Sequence, residues 1–137
     1  MARNRLRRMR MFLLVLGLLG VLGRPGWTQV AEPIIIAGSV VLRIRTQAGG
    51  FSAAERAKAI RHRITRALTS EDLTPANVYV QPAGPDLSIR VGRVLLVTVT
   101  EPDARANQTT MPALAARWLA AFRDALPRAK PLPRPAP

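Results

Sequence analysis

Val40-Val41-Leu42-Arg43-Ile44-Arg45-Thr46-Gln47-Ala48-Gly49-Gly50-Phe51-Ser52-Ala53-Ala54-Glu55 places a strand, a breaker and a helix start in immediate succession. The first six residues are rich in β-branched and apolar side chains. Leu42 and Ile44 are expected to face a core while Arg43 and Arg45 face water. Gln47 to Gly50 interrupts the strand. Ser52, with Glu55 three residues later, then forms the pattern of a capping box, in which each side chain satisfies the other residue's free backbone N–H. A strand passing straight into a capped helix predicts a mixed α+β fold.

Outward from this stretch, Pro33-Ile34-Ile35-Ile36 is a second β-rich run. The short Ala37-Gly38-Ser39 link predicts a β-hairpin with the strand at Val40. From Ser52 to Leu68, helical spacing gathers Ala53, Ala57, Ile60, Ile64, Ala67 and Leu68 on one arc. Arg56, Arg61 and Arg63 fall at its edges, and Lys58, His62 and Arg66 point outward. A three-stranded antiparallel segment is expected next. It starts with Asn77-Val78-Tyr79-Val80-Gln81, closed by Pro82 to Asp86. In the following strand Leu87, Ile89 and Val91 alternate inward with Ser88 and Arg90 outward, and Gly92-Arg93 makes a glycine-first turn. Val94 to Thr100 is apolar on both faces, which predicts a central strand, and Glu101-Pro102-Asp103 reads as the turn that ends it. A last helix, from about Thr110 to Leu126, aligns Met111, Leu114, Ala115, Trp118, Ala121, Phe122 and Ala125 as a core face. Pro127 stops it.

The expected organisation is therefore a leader at 1–26, one small α+β domain at 33–126 with the C-terminal helix packed on the sheet, and a tail at 127–137. The tail has the composition of a disordered, extended segment of polyproline II character. In the leader, arginines from Arg3 to Arg10 precede an apolar run, Met11 to Leu22, and the breaker Gly23-Arg24-Pro25-Gly26, the order of a secretory signal peptide. Its 12 apolar residues reach about 18 Å as a helix, against about 30 Å of bilayer hydrocarbon. A cleaved leader is expected, with an uncleaved membrane anchor as the alternative, so the domain is expected in the periplasm or otherwise outside the cytoplasm.

Charge is unevenly spread. Arg3, Arg5, Arg7, Arg8, Arg10 and Arg24 lie in the leader and Arg128, Lys130 and Arg134 in the tail. Removing these nine from the 21 basic residues leaves 12 against eight acids, a surplus of four in the domain. That is too small for a polyanion footprint, so no nucleic-acid partner is expected. Cysteine is absent, which excludes disulfides, thiolate metal sites and a cysteine nucleophile. His62, the sole histidine, has no second ligand within reach by spacing, and Glu101 with Asp103 is the best acidic pair, read as a turn before a site. No phosphate loop, zinc spacing or nucleophile elbow occurs, so no enzyme activity, catalytic, cofactor-binding or metal-ligating residues, or cofactor is expected.

Phe51-Ser52-Ala53-Ala54-Glu55-Arg56-Ala57, with Ile60 and Ile64, resembles the extracytoplasmic N-terminal module of some bacterial mechanosensitive channels of the small-conductance family. So does Val94-Leu95-Leu96-Val97-Thr98-Val99-Thr100, leading through Asp103-Ala104 to the Trp118 helix. The resemblance spans about residues 33–126 and implies an Asp-Gly hairpin turn where this chain has Ala37-Gly38. It implies a non-enzymatic sensory or accessory role in the cell envelope, with an envelope or channel protein as partner and membrane contact through the N-terminal segment. No hydrophobic run of spanning length follows the domain, so a module without a pore is expected. The alternative from the residues is an anionic-surface binder, for membrane lipid or nucleic acid, using the arginines of the first helix and the tail.

Overall fold

The computed structural model describes residues 30–133 and 136–137. The leader and residues 134–135 of the tail lie outside the described residues. Among those described, no helix is long and apolar enough to cross a membrane.

The fold is α+β. Strands β1 (Glu32–Ile36) and β2 (Ser39–Ile44) form an antiparallel hairpin, and helix α1 (Ala53–Ser70) follows. Strands β3 (Val78–Ala83), β4 (Asp86–Val91) and β5 (Val94–Val99) form a second antiparallel sheet in the order β3-β4-β5. Helices α2 (Glu101–Ala106) and α3 (Met111–Ala125) complete the chain. Helix α1 packs on β1, β2 and β5, while α3 packs on β2, β3 and β4, so the two helices hold the two sheets around one core. The Arg123 guanidinium adds a polar tie, donating from Nε and Nη2 to the Val78 carbonyl at 3.0 and 2.8 Å.

Both long helices begin as their sequences dictate. Ser52 Oγ accepts from Glu55 N, and the Glu55 carboxylate accepts from Ser52 N at 2.8 Å, so the capping box is complete. Thr110 caps α3, and its buried face is Leu114, Ala115, Trp118, Phe122 and Ala125, the expected stripe. Trp118 is 4% exposed and Phe122 is fully buried, as their role as large fillers of an aromatic-poor core requires.

Four local expectations are corrected. Strand β3 does not stop before Pro82 but runs through it to Ala83. It is an edge strand, where a residue without an N–H removes no ladder bond if it faces outward. The central strand is β4, not β5, and Ser88 on it is buried, its hydroxyl donating to the Gln81 carbonyl at 3.1 Å. The two-faced apolar run in β5 has another cause. Ile89 pairs with Val97 and Arg90 with Leu95, leaving Leu96 as an extra residue, a bulge that brings neighbouring Leu96 and Val97 both into the core. Strand β2 repeats the device, with Val41 extra between the Leu42 and Val40 pairings and both Val41 and Leu42 buried. Third, Glu101-Pro102-Asp103 is not a turn but the first turn of α2, capped by Thr100.

The fourth concerns the C-terminal boundary. A 3-10 turn at Leu126–Arg128 carries fully buried Leu126, Ala129 packs on the core, and Leu132 N donates to the Leu68 carbonyl at 3.1 Å. The chain is thus part of the domain for several residues beyond Leu126. Proline ends the α-helix but is compatible with the first turn of a 3-10 helix, so Pro127 redirects the chain along the core instead of releasing it.

Candidate functional site

Asp103 is the one buried acid among the described residues, 1% exposed. Proline at the second position of α2 is compatible with a helix start, and Thr100 with Asp103 makes a second capping box. Thr100 N and Oγ1 donate to Asp103 Oδ2 at 3.0 and 2.8 Å. Across the core edge, Arg56 of α1 donates from Nη1 to Oδ1 at 2.9 Å and from Nη2 to Oδ2 at 2.8 Å, a two-pronged pair. Thr46 Oγ1 gives Oδ1 a further bond at 2.9 Å. Arg56 also donates to the carbonyls of Thr46 at 2.8 Å and Thr98 at 3.2 Å. One guanidinium therefore joins the exit of β2, the end of β5 and the start of α2. Burial raises the Asp103 pKa, but Arg56 and the Thr100 donors outweigh it, so the carboxyl lies below the ordinary aspartate value.

Beside this cluster lies a groove of about 580 Å³ between α1 and β5. Phe51 and half-buried Ala59 supply apolar surface, above the buried side chains of Ile60 and Val97. At one end stands Phe51, 59% exposed, on a turn clamped by reciprocal backbone bonds with Ala48 at 3.0 and 3.1 Å. Gly49 and Gly50, with φ of 59 and 81, allow that turn. Lys58 and His62 are exposed along the helical wall and Arg63 is half-buried. Burial first, and then the charge of Arg66, lower the Arg63 pKa. The ion pairs among the described residues are Arg56–Asp103 and Arg128–Asp124, so Arg63 makes none.

The structure separates the expected acidic pair, with Glu101 exposed and Asp103 buried on Arg56, so the two carboxylates do not converge. Glu55 lines the groove, and its pKa is lowered by the Ser52 backbone and hydroxyl bonds that engage it as a cap. Among the described residues no cluster of metal-ligating side chains forms, around His62 or elsewhere. Asn107, in the Asn107-Gln108-Thr109 sequence, uses its side-chain amide to close α2 on the Asp103 carbonyl at 2.8 Å.

Sequence reasoning placed Arg56 at the edge of the helical arc and missed its partner. The signal that could have found it is Thr100 three residues before Asp103, a capping pattern that turns an acid toward the helix start. No curated protein and no solved structure matches the chain. Residues 33–129, including the turn that follows buried Leu126, match a family described as a domain of unknown function (DUF8459), and the chain belongs to that family.

Proposed function

We propose that this chain is a non-enzymatic cell-envelope domain that acts through surface contacts, as a sensory or accessory module similar to those of mechanosensitive channels. The observation that carries this reading is the state of Asp103. The acid best placed for chemistry beside the groove accepts bonds on both oxygens and is neutralised by Arg56, so it is a structural group and not a free base. What the groove offers instead is an exposed aromatic ring, an apolar floor and cationic side chains, which are the components of a contact surface. The basic and then apolar order of residues 3–22 supports placement outside the cytoplasm.

Location is tested by fusing residues 1–31 to a phosphatase that is active only outside the cytoplasm. An active fusion is expected. A well-expressed but inactive fusion would remove the envelope assignment.

A further inference from the structure

The groove between α1 and β5 has a chemistry that narrows its partner. Helix α1 carries Arg56, Lys58, Arg61, Arg63 and Arg66 against a single acid, Glu55. Arg56 is neutralised by Asp103, and Glu55 stays charged while it accepts from Ser52 N, so the remaining four cations outnumber the one acid on their own helix. Arg63 is the informative one. It bears the cost of partial burial and the repulsion of Arg66 without an ion pair among the described residues, at the lip of an apolar groove. At the other end Phe51 is held toward solvent by the paired backbone bonds to Ala48, so an aromatic anchor is ordered before anything binds.

We propose that this groove binds an extended acidic segment of a partner protein, seating an apolar side chain against Phe51 and a carboxylate on Arg63. The helical wall from Glu55 to Arg63 runs about 12 Å, the length of about four extended residues. The volume of about 580 Å³ suits a short peptide rather than a second folded surface. The segment lies in the groove without adding a strand to β5. The carbonyl of Thr98 is already taken by Arg56, and Thr100 N by Asp103, so the C-terminal edge of β5 is capped. A membrane surface fits less well, because the lining also contains the carboxylates of Glu55 and Asp86. A uniformly anionic plane meets these with repulsion, whereas a peptide can turn backbone N–H groups toward them.

This inference rests on the reading of the chain as a contact domain, and its test is independent of the export assay. The full chain is titrated into a fluorescein-labelled decamer of alternating Glu and Val, and into its Lys-Val counterpart, with anisotropy as readout. Binding of the acidic peptide alone is expected, weakened about tenfold or more by Phe51→Ala and by Arg63→Gln. Arg61→Gln, whose side chain reaches toward the Pro33 carbonyl instead, should change it less than about twofold. Both groove substitutions are at incompletely buried positions, and matching thermal melts of all variants would show that the fold is kept. No binding of the acidic peptide, equal binding of both peptides, or equal loss from Arg61→Gln would overturn the proposal. So would phosphatidylglycerol-containing vesicles that bind the chain and displace the peptide, since that result assigns the site to lipid. An active phosphatase fusion with no peptide binding removes this site alone and leaves the envelope reading standing.

Discussion

Arg56 and Asp103 meet through both guanidinium amino groups and both carboxylate oxygens, at 2.9 and 2.8 Å, with side chains 9% and 1% exposed. They are 47 residues apart, and each also bonds to Thr46, so the contact ties α1 and α2 to the exit of β2.

Breaking this pair from one side leaves an uncompensated buried charge. Arg56→Met and Asp103→Leu should each destabilise the domain by about 3 to 5 kcal/mol, a large share of the total for a small domain. The double variant should cost less than the two singles combined, because no charge is then stranded. Urea denaturation of the four proteins of the cycle checks this, and strict additivity would show that the pair is not coupled.

The same pair sets an acid limit. Asp103 has a folded pKa below its unfolded value, so its stabilisation is complete above the ordinary aspartate range and is lost as pH falls through the lowered folded value. Stability should therefore be insensitive to this group near neutrality and decline on acidification below the usual aspartate pKa. Asp103→Asn should be less stable at neutral pH and show a shallower acid decline, read from denaturation midpoints across a pH series.

Trp118 is 4% exposed on the core face of α3. Trp118→Ala should cost about 3 to 5 kcal/mol by removing ring contacts and opening a cavity. An unchanged unfolding midpoint would contradict its burial.

The β1–β2 turn stores a smaller strain. Ala37 and Gly38 both have positive φ, 48 and 79, the geometry of a turn that favours Asn-Gly or Asp-Gly. Alanine in that region is disfavoured by its Cβ, so Ala37→Asn should stabilise the domain by about 0.5 to 1 kcal/mol. A thermal melt measures the gain, and no increase would show that the turn relaxes around alanine.

How far the sequence reads correctly depends on how local the determining signal is. The Ser52–Glu55 box, the Trp118 stripe and the Gly92 turn are each decided within a few residues, and each is found where its pattern puts it. The order of strands is not local. The apolar run at Val94 to Val97 suits a strand covered on both faces or an edge strand with a bulge, and only its pairing with β4 separates these. The groove was hidden for the same reason. Phe51 and Arg63 are twelve positions apart, and what makes them one site is the packing of α1 against Val97 of β5. The fate of Asp103 was legible in part, since Thr100 announces its cap, but Arg56 as its partner required the fold.

The two sheets share no backbone ladder. Each hairpin is cooperative within itself, but β1–β2 is held to the rest by side-chain packing of α1 and α3 and by the Arg56 cluster. A ladder must be pulled apart one bond after another, whereas a packed seam parts at once along its whole length when its fastening fails. The hairpin is thus joined to the rest of the domain by packing, and Arg56 fastens that seam where β2 ends. Amide protons of β1 and β2 should accordingly exchange together, on a clock set by parting of the seam and not by fraying from the strand ends.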